Sequence, residues 1–263
     1  DPSKALRAFD QFLDHLLQDA QRGKALSFLR KKDMLSLLAK LLGASDFLWE
    51  DFLRTQYDNL LPMLSDYRKV PLLRSRASMA QELRRRLAAV RGDERRRREL
   101  NHFKDQEMFR IDMKHLLDTT TTLPTFSQAL TDLAEVIVGQ AIHDSLSLVM
   151  KAHGAPALAT GKACPFAVFG MGKFGGRELG YASDIELLFV FGGEGSTSGR
   201  RSLGNTEFYE LVVQDLLQRI EAKQEGIFHV DIRLRPHGAK GLLANTLQEI
   251  RTYYSPTGLS APF

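Results

Sequence analysis

Two carboxylates enter a very apolar run in "SDIELLFVF", where Asp184 and Glu186 stand two residues apart, and a third, Asp231, lies further on in "IFHVDIRLRP". Side chains alternate along a strand, so Asp184 and Glu186 project from one face with Cα atoms about 7 Å apart. In the second run Phe228, Val230, Ile232 and Leu234 are expected to point one way, and His229, Asp231, Arg233 and Arg235 the other. A neighbouring strand that lays Asp231 beside the first pair gathers three negative charges at one spot, which is unfavourable unless divalent cations neutralise them. Hard oxygen ligands suit Mg²⁺ or Mn²⁺, and such ions bridge phosphate oxygens in displacements at phosphorus. Singly, a strand-edge acid is usually a solvated residue, and a strand arginine usually pairs with a nearby acid. The combination of D-x-E and D-x-R-x-R behind a glycine-rich turn is what points to chemistry.

The glycines of that turn, Gly170, Gly172 and Gly175, have the G-x-G-x-x-G spacing of dinucleotide binding. A dinucleotide fold needs the third glycine to open a helix of about ten or more residues before the next strand. Here Gly180 interrupts the gap and the next strand begins by Asp184, so the crossover helix has no room.

Two kinds of pattern supply the elements that must position these residues. From Leu6 to about Met150 apolar residues recur at helical spacing. Leu6, Phe9, Phe12, Leu13, Leu16 and Leu17 form one stripe, and Leu35, Leu38, Leu41 and Leu42 another that stops at Gly43. Ser45 reads as the N-cap of a helix carrying Leu48, Phe52 and Leu53. A long helix is predicted over 127–152, with Leu130, Leu133, Ile137, Ala141 and Leu148 on one side. The stripes read as the core of an all-helical bundle. "AHGAPALATGKACP" marks a boundary, and short strands follow: 166–169, 185–191 and 226–234, with a helix opening at Asn205 that turns Phe208, Leu211, Val212, Leu216 and Ile220 inward. The predicted fold class is α+β, with a helical domain over 1–155 and a mixed α/β domain over 160–263.

Composition fits a globular chain: 263 residues, 43% apolar and 26% charged. No uncharged apolar run approaches the roughly 18 residues that span a bilayer, and the charged opening has no secretory h-region, so no membrane partner is expected. The lone cysteine, Cys164, excludes an intramolecular disulfide framework and fits a reducing cytoplasm. The chain starts without Met and stops at "SAPF", as a piece of a longer protein would. Net charge is only +4, but arginines bunch at Arg84, Arg85, Arg86, Arg91 and Arg95 to Arg98. Interleaved Glu82, Asp93, Glu94 and Glu99, without alternating aromatics, favour a solvated helix face over a phosphate-tracking surface, so nucleic acid is not the expected partner.

"GMGKFGGRELGYASDIELLFVF" followed by "VDIRLRPHGAKGLL" resembles the nucleotidyltransferase domain of the bacterial glutamine synthetase adenylyltransferase and adenylyl-removing enzyme family, within the DNA polymerase beta superfamily. "LLGASDFLWEDFLRTQYDNL" and "LNHFKDQEMFRIDMKHLL" resemble segments preceding that domain. The resemblance implies a polymerase-beta-like domain with a small mixed sheet flanked by helices. It gives Asp184, Glu186 and Asp231 the metal-binding and catalytic roles, with Asp231 accepting the tyrosine proton. Gly175 and Gly176 become the small pair that admits nucleotide phosphates, with Ser183 a polar neighbour and Lys173, Arg233 and Arg235 near phosphate charge.

The implied reaction is Mg²⁺- or Mn²⁺-dependent transfer of AMP from ATP to a tyrosine of glutamine synthetase, or its removal by orthophosphate with release of ADP. A PII-type signalling protein is a further implied partner. The family usually has Asp where this chain has Glu186, and a carboxylate misplaced by ~1 Å can cost ~10²-fold. The lead-in is more similar to the adenylyl-removing half of the bifunctional enzymes. Beside this reading stand a catalytically silent nucleotide-binding regulatory module of the same fold and an RNA-modifying nucleotidyltransferase that uses the arginine run.

Overall fold

The computed structural model describes residues 73–118, 120–180, 182–222 and 228–258, with isolated positions before residue 73. The helical stripes expected between Leu6 and Leu53 therefore lie outside the described residues, apart from those isolated positions. The rest is a mixture of helices and small sheets. Three helices come first: α1 (Arg76–Ala89), α2 (Asp93–Leu117) and α3 (Leu123–His153). Strands begin immediately afterwards, at Pro156, where the Gly/Ala/Pro-rich segment predicts the change of pattern.

The chain divides into two compact units, one of residues up to 78 with 102–133, the other of 79–101 with 134 onwards. Both α2 and α3 contribute to each. In the first unit Phe103, Phe109 and Ile111 of α2 and Phe126, Leu130 and Leu133 of α3 are buried. Arg110 donates through Nε to Glu107 at 2.8 Å, and the Arg74 guanidinium reaches the same carboxylate at 2.5 Å.

Among the described residues α3 is the one helix long and apolar enough to cross a membrane by length and composition. Its apolar stripe is buried in protein: Leu130, Leu133, Ile137 and Ala141 are covered as their spacing requires. Leu148 is exposed and Val149 takes its place, because a helix of 3.6 residues per turn carries the stripe one position on. Gly154 ends the helix at φ +85°, where a Cβ would sit 2.2 Å from the Gly199 nitrogen.

In the second unit β2 (Phe166–Gly170) runs antiparallel to β3 (Ile185–Phe191), with only the four-residue α4 (Gly172–Gly175) between them. A doubly wound dinucleotide fold requires parallel strands there. The other edge of β3 carries two short parallel partners: β5 (Val230–Asp231) at its start and β6 (Ala244–Thr246) at its end. A separate antiparallel pair, β1 (Pro156–Leu158) with β4 (Gly195–Thr197), leads to α5 (Asn205–Arg219). Asn205 joins these parts, its amide donating to Ala157 O at 3.0 Å and Gly193 O at 2.9 Å. A 3₁₀ turn (Gly238–Lys240) and α6 (Leu247–Tyr253) complete the description.

The predicted strand over 226–234 shrinks to two residues, with 223–227 outside the description. After Asp231 the chain turns, which breaks the alternation: Leu234 is 45% exposed and Arg235 is buried. Arg235 donates to the carbonyl groups of Ile232 (2.7 Å), Gly241 (3.2 Å) and Ala239 (3.3 Å), and those bonds satisfy the carbonyl groups of the turn.

Aromatic packing closes the core over β3. Tyr209 of α5 stacks on Phe166 and Phe191 at ring separations of 4.7 and 4.8 Å, and its hydroxyl donates to Cys164 O at 3.1 Å. Burial pushes the Tyr209 hydroxyl's pKa well up, so it stays a neutral donor. Leu211, expected inward, is only half-buried; Tyr209 and Val213 hold the inward places beside Phe208 and Val212.

Arg219, at the end of α5, is buried between two aspartates. Its Nε donates to Ser145 at 3.1 Å and to Asp215 at 2.5 Å, its Nη2 lies 2.8 Å from Asp93, and its carbonyl accepts from Asn101 at 2.8 Å. Arg219→Ala removes the cation and leaves Asp93 and Asp215 facing each other's charge. Breaking a buried ion pair costs about 3–5 kcal/mol, less where one partner is half-exposed as Asp93 is, so a loss of about 3 kcal/mol is expected in urea unfolding.

Candidate functional site

β3 positions the first two carboxylates. Apolar residues bury most of the strand, while Asp184, just before it, and Glu186 remain half-buried on one face. The parallel register pairs Ile185 with Val230 and Glu186 with Asp231, and Ile185 N donates to His229 O at 2.8 Å. Residues directly opposite in a ladder share a face. The backbone thus brings Asp184, Glu186 and Asp231 to one end of one sheet face.

The side chains divide into two states. Asp231 is held by Arg233, whose Nε lies 2.9 and 3.0 Å from its two oxygens and whose Nη2 lies 2.6 Å from Oδ2; Arg233 N also donates to Oδ1 at 2.8 Å. These bonds from Arg233 hold the Asp231 carboxyl below the usual carboxylate range, against the opposing effect of burial, and Asp231 in turn keeps Arg233 charged. Asp184 is freer. Its Oδ1 is buried with no hydrogen-bond partner, and the His229 ring nitrogen Nδ1 lies 3.5 Å from it.

Glu186 lies against the glycine turn. Met171 N donates to Glu186 O at 2.8 Å, and a Cβ on Gly172 would fall 1.5 Å from Glu186 Oε2. Gly172 also has φ +48°, a left-handed backbone conformation that strains any side chain there, and such a side chain would displace the Glu186 carboxylate. The Glu186 carboxylate occupies the space that a side chain at Gly172 would take.

The remaining predicted residues serve the scaffold around that room. Gly175 and Gly176 spend their N–H groups on Met171 O and Gly172 O, at 2.8 and 2.9 Å, and a Cβ on Gly175 would lie 2.4 Å from Gly170 O. Ser183 is buried and its Oγ accepts from Gly180 N at 2.9 Å, which closes the loop before β3. Lys173 is exposed on α4. Arg235 is committed to the turn after β5, away from the exposed position that the alternation predicts. His229 and Gly172 stand beside the acids and were absent from the predicted set. The signals were present, since His229 shares the alternation of Asp231 and Gly172 belongs to the glycine spacing.

The donor chemistry fits a divalent cation: three carboxylate positions on one face and one buried oxygen without a partner. Their present rotamers do not converge, and among the described residues no three Asp, Glu, His or Cys side chains are close enough to share an ion. Asp231, turned to Arg233, is the member that stands apart. Half of the arginine run is engaged with acids: Arg86 with Glu82 at 2.6 Å, Arg96 with Asp144 at 2.8 Å, Arg97 with Glu221 at 3.6 Å and Arg98 with Glu94 at 3.7 Å.

Gly172→Ala should displace the Glu186 carboxylate and strain the turn, with thermal unfolding lowered by several degrees in calorimetry. Arg233→Gln should be less stable than the parent at pH 7. A depressed carboxylate pKa contributes stability above the unfolded value, and that contribution is lost as pH falls through the folded value. The gap should therefore close below about pH 4 in urea titrations at stepped pH; a gap independent of pH would contradict the ion pair.

A family model described as glutamate-ammonia ligase adenylyltransferase matches residues 35–260. Similar curated proteins are bifunctional glutamine synthetase adenylyltransferase/adenylyl-removing enzymes. That of Nitrosococcus oceani is 34% identical over 247 residues, covering 89% of this chain and 25% of its own. Those of Shewanella frigidimarina and Acinetobacter baylyi are 32% and 30% identical, each covering 96% of this chain and 27% and 30% of their own. The chain thus spans between a quarter and a third of the length of these relatives.

Proposed function

This chain belongs to the glutamate-ammonia ligase adenylyltransferase family, and from that premise we propose that it is the nucleotidyltransferase part of an enzyme that adds AMP to a tyrosine of glutamine synthetase or a similar protein, or removes it by phosphorolysis. The observation that carries the reading is the registration of Glu186 with Asp231, with Asp184 on the same face and its Oδ1 unpartnered. In the forward direction the tyrosine oxygen bonds to the α-phosphorus of ATP and pyrophosphate leaves. In the removal direction an orthophosphate oxygen bonds to the phosphorus of tyrosyl-AMP, the tyrosine oxygen leaves and takes up a proton, and ADP is the product released. A reducing cytoplasm and a PII-type partner belong to the same reading.

Asp184 and Glu186 would hold Mg²⁺ or Mn²⁺, with Asp231 as third ligand, and the ion when bound neutralises charge on the phosphate oxygens. The chain's residues do the positioning. The glycine turn keeps Glu186 in place and leaves its mouth open, with Lys173 exposed beside it. Asp231, held ionised by Arg233, is in the form that accepts the tyrosine proton. Arg233 is 71% exposed and presents a planar fork, suited to exchange a carboxylate for a phosphate. A silent nucleotide-binding module is the second reading, and the engagement of Asp231 by Arg233 is the observation that favours it.

Calorimetric titration of ATP with and without Mg²⁺, into the parent and Asp184→Asn, tests the site. Metal-dependent binding that falls at least about 10-fold in the variant is expected; equal binding in the variant would sink the assignment. AMP transfer to glutamine synthetase then separates enzyme from module, since a module binds ATP tightly and transfers nothing.

A further inference from the structure

A nucleotide handled at the carboxylates needs a place for its base, and two cavities among the described residues of the second unit are candidates. One, of about 350 Å³, is lined by Val168, Phe174 and Leu187 together with Glu135. Leu187 points away from the acids, because it has the opposite parity to Glu186 on β3. Glu135, its charged group, is taken by Arg177 at 2.6 Å. That cavity is behind the sheet and offers no free polar edge.

The other, of about 620 Å³, is lined among others by His237, Lys240, Leu242, Asn245, Gln248 and Tyr253. Its size is that of a small-ligand site. Asn245 pairs in parallel register with Val190, which has the parity of Glu186, so Asn245 belongs to the carboxylate face of the sheet. Four residues separate Val190 from Glu186, a rise of about 13 Å along the strand. That matches the reach of an extended nucleoside monophosphate from phosphorus to the far edge of its base.

Asn245 is 4% exposed and its Oδ1 has no hydrogen-bond partner. A buried acceptor left unpaired is costly, and a donor arriving with a ligand removes the cost. Around it the His237 and Tyr253 rings meet edge to face with centroids 5.0 Å apart, giving one aromatic wall, and Lys240 lies exposed beside them. His237 is held at φ +62°, a strained conformation for a residue with a Cβ and one that recurs at ligand sites. A side-chain amide sets an acceptor and a donor side by side, the complement of the N6 and N7 edge of adenine; guanine presents two acceptors there.

We propose that this cavity receives the base and sugar of the nucleotide and that Asn245 selects adenine. The inference rests on the nucleotidyl reading above and extends it by a specificity residue. It carries the chain of contacts from Glu186 along β3 to β6, with the connection after Asp231 forming the wall between them.

The test is competition binding of ATP, GTP and inorganic tripolyphosphate, each with Mg²⁺, to the whole chain and three variants. The parent should prefer ATP over GTP by about 10- to 100-fold, the range of a bidentate amide–adenine pair. Asn245→Leu, close in volume, should bring that ratio near one. Leu242→Trp, at a position 41% exposed, fills the cavity from outside without disturbing the core. It should weaken ATP at least about 10-fold and leave tripolyphosphate unchanged. Asp184→Asn should weaken ATP and tripolyphosphate alike. A parent that binds no nucleotide or does not discriminate, or an ATP preference that survives both Asn245→Leu and Leu242→Trp, overturns the proposal. Loss of discrimination in Asn245→Leu with no effect of Asp184→Asn upholds the base site and rejects the carboxylate site instead.

Discussion

The site hangs on the parallel registration of β5 against the first residues of β3. Strand side chains have a period of two, so a slip of one residue would turn Asp231 to the opposite face and separate it from Glu186. A two-residue ladder is too short to resist slippage alone. It is fixed from both ends: buried Val230 and Ile232 flank Asp231, and the Arg235 side chain ties the following turn to its own carbonyls. Further on, the Glu210 carboxylate accepts from Leu243 N at 2.5 Å and Ala244 N at 3.1 Å, so β6 arrives at β3 already anchored to α5.

Charge is held in two contrasting ways. The side chain of Arg219 is 2% exposed and is shared between Asp93 and Asp215, so its charge is compensated out of reach of bulk water. Arg233, 71% exposed, has concentrated its bonds on a single carboxylate where water and other anions compete. The first arrangement fixes a scaffold. The second is a bond open to competition on the arginine side, because the fork stays solvated while its carboxylate partner is buried.

Much of this was legible in the sequence where long periodic segments carried it. β3 and most of the inward face of α5 follow from their apolar patterns, and α3 from a helical stripe longer than any loop or strand could hold. The short elements were not legible. Two residues cannot display an alternation, so β5 was read as part of a longer strand, and Arg235 was turned outward when its better use was inside a turn. The Asp231–Arg233 pair shows a subtler limit: spacing predicts that the two groups share a face, but not that one will occupy the other. Gly172 was visible only as a member of a spacing that belongs to another fold; its role became plain once the Glu186 carboxylate was seen over its missing Cβ. The sharing of α2 and α3 between two compact units leaves no mark on the sequence, since a helix that changes neighbours keeps its period.

β5 and β6 lie on the same edge of β3, one at each end, and the chain between them leaves the sheet and returns to it. The geometry of a clamp and its replaceable jaw follows. Substitutions, insertions or wholesale exchange within 236–242 alter the lining of the cavity beside Asn245 while the strands at both ends of the connection stay registered on β3. Such changes leave the positions of the three carboxylates untouched.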